Sequence, residues 1–482
     1  MAVCNFPKTS AKIGKTSTSC LRKFTIHFRR PDKLKQNHNA PYKGEYGFDW
    51  LRDEYIYPIE MVYFDEVINS QNPVPINTYI ELCKEHKKLK NAYLSDSCKP
   101  HGQDYYPAWL SIFACNVQGK NSNAGSQIHQ AGVYLDLQLD EIDEIISDGT
   151  EIIFKPSKPC LKITPDKISI SEFLLNSKKK RTLDSKNNQP QIYYYLLENA
   201  VKIVCQGDTL RQHEEIKVFA KLGSDEYEVG QLNVYKNDKI CKANLFVINV
   251  ITEHDYNNNK IMPPSPPSLK YILNNQSFNQ ALINVEIKVI EDFDLYALKV
   301  KTQDQDIINL LNYIAQPYAN LDPGLILNEL NKLYDRYGKN RPKDPTKPNQ
   351  FLGINDHGHK NTYLLLTGIK IRNGDSRGYS TISNFAFKHS CVIYHHFTND
   401  DITIPHEIAH TFSLPHTFER FAGPEFYPFH KGYTDNYMDY PNYLDKAKHD
   451  AANKYQNKTY SFCKWQWDEM RKDESLENNE KK

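Results

Sequence analysis

Six short runs in the first half of the chain alternate apolar and polar residues, with turn formers between them: Gly132–Leu139, Glu151–Phe154, Val201–Val204, Ile216–Ala220, Val229–Tyr235 and Leu245–Val250. A period of two over four to eight residues predicts half-buried strands, and this many at such spacing predicts a β-sandwich of one unit or two. After the proline-rich stretch Met262–Ser268 the period changes. Apolar residues recur at helical spacing in Asp304–Ala315 and Gly324–Tyr337, predicting two amphipathic helices. Asn361–Ile371 and His389–Phe397 are apolar, β-rich runs bounded by turn residues, and Gly378–Ile382 between them reads equally as an edge strand or a plain loop. Tyr460–Arg471 is amphipathic and predicts a last helix, with a charged tail beyond it that should fray.

Chemistry concentrates in Thr403–His416. On a helix, residues four apart share a face, so His406 and His410 can present two ring nitrogens to one ion. Glu407 then sits beside that ion, where its natural role is to orient and deprotonate a water. Asp401 or Thr403 can cap this helix, and Pro405 is tolerable only in its first turn. His416 lies six residues after His410, so the chain must turn at Ser413-Leu414-Pro415 to bring it back. A histidine pair alone also fits an ordinary surface helix; the third histidine favours zinc. The segment Gly432–Tyr440 adds Met438, one of only 5 methionines in 482 residues, framed by turn-forming Asp and Asn. Three neutral imidazoles leave zinc dipositive with an open position, which lowers the pKa of a coordinated water to about 7.

The pattern His-Glu-x-x-His-x-x-Gly-x-x-His followed by a Met-turn defines the metzincin metallopeptidases, and this chain resembles them. It is most similar to the pappalysin-like branch, through His416-Thr417-Phe418 and Asn436-Tyr437-Met438-Asp439-Tyr440. The resemblance implies His406, His410 and His416 as zinc ligands, Glu407 as general base and Met438 as an apolar floor beneath the metal. It also implies that Tyr440 hydrogen-bonds the reacting oxyanion, and that a peptide adds antiparallel to Gly378–Ile382. The expected activity is that of a metalloendopeptidase, hydrolysing peptide bonds through a zinc-activated water with a protein or peptide as substrate. No cysteines or acidic loop of a calcium site stand between the third histidine and the Met-turn, so calcium is not expected.

One position departs from the family. Its glycine falls at Ser413, where the family's backbone commonly takes a left-handed conformation, which serine can adopt at a cost of order 1 kcal/mol. If Ser413 cannot make that turn, Glu419, Glu425 or Asp435 would have to replace His416 as an oxygen ligand. His357 and His359 sit in a Gly-Asn-Asp loop and the pair His395-His396 alternates along a strand; no role is assigned to these four.

The expected organisation is multidomain. Residues 1–125 form an N-terminal region, a basic arm and then an aromatic-rich cap; 126–260 a β-rich region of immunoglobulin-like sandwich type; 261–269 a proline-rich linker; and 270–482 an α+β metzincin-like zincin domain. Charge is balanced, 60 basic against 59 acidic residues, which gives nucleic-acid binding no compositional support. No run approaches the length of a membrane span. The 10 cysteines have no Cys-x-x-Cys pair, which suits reduced thiols.

No secretory signal is visible. The expectation is therefore either a cytoplasmic protein or one exported by a signal-independent, type VI-like route into a target cell. Abundant Asn, Lys, Ile and Tyr point to an AT-rich bacterial genome, and Gly44–Ile56 is similar to N-terminal segments of bacterial secreted effectors. An effector would add a secretion-machinery or immunity partner. The competing expectation is a non-catalytic binding or delivery protein whose β-modules dock on a partner and whose zinc site is structural; such a site would have no need of Glu407.

Overall fold

The computed structural model describes residues 21–63, 76–184, 187, 189–316, 321–347, 349–371, 377–380, 389–395, 401–419, 426–440 and 458–480. Two six-stranded sheets come first. One runs Phe24–Arg29, Val133–Glu141, Gln189–Gln206, Leu161–Thr164, with Lys179–Asp184 and Ala114–Cys115 also paired to the long strand. The other runs Lys167–Ser169, Glu151–Pro156, Glu214–Leu222, Asp225–Val234, Ala108–Ser111, Gly47–Asp49. Strict alternation buries Phe24, Ile26 and Phe28 of the first strand. Phe28 meets Phe154 of the other sheet at 6.2 Å between ring centres, and Tyr105 donates its hydroxyl to the Ile26 carbonyl at 2.6 Å.

The third sheet positions the histidine motif. Its order is Ile283–Asp294, Cys241–Ile251, Asn361–Thr367, Ser390–Ile393, Gly378–Ser380; the first four are parallel and the last pairs antiparallel at the edge. Parallel strands covered on both faces need near-continuous apolar runs, and Asn361–Thr367 has one. Its Tyr363 and Leu365 join Ile307, Leu310, Leu330 and Leu333 of the helices Gln305–Ile314 and Pro323–Tyr337. Leu364 and Leu366 face the other way and join Ile404, Ile408 and Ala409 of the helix Thr403–Thr411. The two covering helices start where Asp304 and Asp322 accept backbone N–H bonds, from Asp306 and from Gly324 and Leu325.

All six alternating runs fall on strands, with only Gly132 and Tyr235 at their ends outside, but the division drawn at 261–269 does not separate two folded units. Cys241–Ile251, expected in the β-rich region, is an inner strand of the third sheet, between Ile283–Asp294 and Asn361–Thr367. It is buried almost throughout, which a parallel strand requires and a one-sided sandwich strand does not. The prolines therefore lie in a crossover between two strands of one sheet.

The aromatic-rich stretch is likewise no separate cap. Asn279 donates to the carbonyls of Gly44 and Glu45 at 2.9 and 2.8 Å, Asp49 accepts from the Lys464 N–H at 2.7 Å, and Phe48 and Trp467 belong to one core. Nor is the stretch before Lys43 wholly a solvated arm, since Phe24–Arg29 is a strand; residues 1–20 lie outside the described residues. The tail is pinned rather than frayed. Fully buried Arg471 needs an anion, and Glu480 supplies it at 2.8 Å, while Glu477 exchanges backbone bonds with Lys242.

Candidate metal centre

The helix Thr403–Thr411 is buried along its whole length, its apolar side against the third sheet. Ile402 occupies the N-cap without a side-chain bond, so neither Asp401 nor Thr403 caps it as expected. Asp401 instead accepts from Lys43 at 3.1 Å.

The three motif histidines converge. Nε2 of His406 and of His416 lie 3.1 and 3.2 Å from Nε2 of His410. Each rear nitrogen has an oxygen acceptor: Nδ1 of His406 on the Tyr437 carbonyl at 2.6 Å, Nδ1 of His410 on the Leu414 carbonyl at 2.7 Å, and Nδ1 of His416 on Glu419 Oε1 at 2.7 Å. Those acceptors place the ring proton on Nδ1, leaving a lone pair on every Nε2. Burial, then the neighbouring His416, pushes His406 down to about 3; burial and the other two imidazoles hold His410 well below the usual range. His406 and His410 are thus held neutral, and the three Nε2 atoms face one another. Nitrogens ~2.0–2.1 Å from a tetrahedral zinc are about 3.4 Å apart, close to the spacing found, so the donor set fits zinc. His406, His410 and His416 are the only such group among the described residues.

Ser413 makes the turn. Its φ is +67°, the left-handed conformation that the family resemblance implied there. Ser413 N–H reaches the His410 carbonyl at 3.0 Å and Leu414 N–H the Ala409 carbonyl at 3.2 Å, closing the helix. Oxygen substitutes for His416 are therefore not needed: Glu419 sits behind His416, and Asp435 is held by Arg30 and Arg52, each at 2.7 Å. Glu425 lies outside the described residues.

The Met-turn clasps the site through its backbone. Tyr437 offers its carbonyl to His406, and the Met438 carbonyl accepts from Thr417 N–H at 3.0 Å, one residue past His416. Met438 itself is fully buried. Asp439 organises the loop by accepting from the N–H groups of Gly432, Thr434 and Tyr440. Residues 460–462, expected in the last helix, instead run alongside this turn: Tyr437 N–H donates to the Ser461 carbonyl at 2.9 Å and Ser461 N–H to that of Asp435 at 3.0 Å. The helix begins only at Lys464.

Tyr440 lies at the rim, 39% exposed, with its ring 4.8 Å from that of His416 and 5.7 Å from that of His406. Burial, then the negative charges of Glu407, Glu419 and Asp439, raises its hydroxyl pKa, so it stays protonated. Burial pushes the Glu407 carboxyl up to about 8; a dication beside it would act the opposite way. The edge strand crosses directly over Glu407 at Gly378.

His357 pairs with Glu474 at 2.6 Å, His359 bonds the Ile354 carbonyl at 3.2 Å, and His395 lies past the end of its strand; none joins the triad. His396 lies outside the described residues. Sequence reasoning missed Glu419 as a partner of His416, Arg30 and Arg52 as anchors of the Met-turn, and Gly378. Of these, only the spacing of Glu419, three residues after His416, was a usable signal. No family model matches this chain, and no curated protein matches it.

Proposed function

We propose that the chain is a zinc-dependent metalloendopeptidase of metzincin type, with His406, His410 and His416 as ligands. The observation that carries this reading is the convergence of three Nε2 atoms whose Nδ1 atoms are all committed to oxygen acceptors. Zinc bound there would polarise a scissile carbonyl and favour ionisation of the attacking water near neutral pH. Glu407, next to the first ligand and buried, takes the proton of that water and returns it to the leaving amine. Tyr440 donates its protonated hydroxyl to the carbonyl oxygen as charge develops on it. The strand Gly378–Ser380 ends the sheet among the described residues, and a peptide paired with it would pass over Glu407.

The test is zinc stoichiometry and cleavage of an unfolded protein mixture by wild type, Glu407→Ala and His416→Ala. One zinc kept but cleavage abolished in Glu407→Ala, with zinc lost in His416→Ala, is the expected result. Undiminished cleavage by Glu407→Ala, or full zinc binding by His416→Ala, would overturn the assignment; zinc bound by the wild type without cleavage would favour a binding protein with a structural site.

A further inference from the structure

We propose that Asp473, through the Ser413 hydroxyl, is a positioning residue for the metal centre: it locks the left-handed turn that aims both His410 and His416. This rests on the three-histidine zinc reading above.

The turn does two things at once. Past Ser413 the Leu414 carbonyl meets Nδ1 of His410 at 2.7 Å, and two residues further His416 arrives 3.2 Å from His410. Relaxing Ser413 out of its φ of +67° would therefore remove the acceptor behind one ligand and withdraw another. A glycine would hold this conformation unaided, whereas serine has a Cβ that opposes it. The compensation is a hydrogen bond of 2.7 Å from Ser413 Oγ to Asp473 Oδ2.

Asp473 is held rigidly for this task. It is 4% exposed, and its other oxygen accepts from Ser475 N–H at 2.8 Å and Ser475 Oγ at 2.6 Å. Asn479 donates to its carbonyl at 3.0 Å. Its location is otherwise unfavourable, because it closes the C-terminal end of the helix Lys464–Lys472, where the helix dipole repels an anion. Burial raises its carboxyl pKa as well. A buried acid at the wrong end of a helix, aimed at a strained serine 60 residues earlier, has its structural reason in that serine.

The test measures the zinc dissociation constant of the full chain by chelator competition, with the visible spectrum of the cobalt-substituted protein as a signature of coordination. Ser413→Ala keeps the Cβ and loses the hydroxyl; it should weaken zinc about 10- to 100-fold and alter the cobalt spectrum, as loss of a ligand-orienting partner typically does. Ser413→Gly loses both and should stay near the wild-type constant. Asp473→Ala should resemble Ser413→Ala, and adding Ser413→Gly to it should restore binding.

Wild-type affinity in Ser413→Ala overturns the proposal, as does a Ser413→Gly protein as weak as Ser413→Ala. Should Asp473→Ala not fold, the Ala and Gly replacements at 413 decide the matter alone. If the wild type binds no zinc, or His416→Ala binds it fully, the metal-centre reading itself fails; zinc binding that needs His416 but ignores Ser413→Ala defeats only the lock.

Discussion

Gly378 lies so close to Glu407 that a methyl group on its Cα would sit 2.5 Å from the Glu407 Cγ and 2.9 Å from Oε1. The edge strand and the proposed base are thus fitted to each other. Gly378→Ala should push the carboxylate aside, leaving zinc content unchanged while kcat/KM for a peptide falls about 100-fold, the penalty typical of a reacting group displaced by an ångström. Metal analysis beside steady-state kinetics checks it, and unchanged turnover would show that Glu407 has room to spare.

Glu419 accepts from Nδ1 of His416 and, through its second oxygen, from the His416 backbone N–H at 3.3 Å. Removing it in Glu419→Ala leaves the His416 ring, the proposed third ligand, free to rotate. The expected loss is about 10- to 100-fold in zinc affinity, read by chelator competition, with Glu419→Gln intermediate because its amide oxygen can still accept.

Tyr440 is proposed to act only as the carbonyl oxygen gains charge. Tyr440→Phe keeps the ring against His416 and deletes the donor, so kcat should drop about 100-fold or more with KM little changed. An equal rise in KM with kcat intact would instead make Tyr440 a binding contact.

Asp435 fastens the Met-turn to the N-terminal segment through Arg30 and Arg52, whose guanidiniums stack on Tyr42 and Trp50 at 4.2 and 3.9 Å. Burial alone would raise its carboxyl pKa, but Arg52 and Arg30 together hold it below the usual range. A carboxyl depressed on folding stabilises fully above its unfolded value of about 4, and that contribution is lost as pH falls through the folded value. Asp435→Asn should cost about 3 kcal/mol at pH 7 by stranding buried cations. The gap to wild type should narrow in urea titrations below about pH 4; a gap independent of pH would mean that the ion pair is not its source.

Local pattern was enough to read some of the strands and helices, while it missed the strand Phe24–Arg29 and began the last helix at Tyr460 rather than Lys464. Alternation over Gly132–Leu139 and Ile216–Ala220 marked the strands Val133–Glu141 and Glu214–Leu222, and helical spacing over Gly324–Tyr337 marked the helix Pro323–Tyr337. The spacing of His406, His410 and His416 foretold that the three imidazoles converge, because four residues on a helix and one forced turn are geometry a sequence carries by itself. That the chain turns at Ser413 was legible for the same reason, and the left-handed conformation there followed from the resemblance to the family's glycine. What holds that residue was not. Asp473, Glu480 on Arg471, and Arg30 and Arg52 on Asp435 join positions 9 to 405 residues apart, and no local period records which distant carboxylate a buried cation or hydroxyl will meet. The placement of Cys241–Ile251 inside the third sheet is of the same kind: an apolar run states that a strand is buried, while only the packing of its two neighbours decides in which sheet.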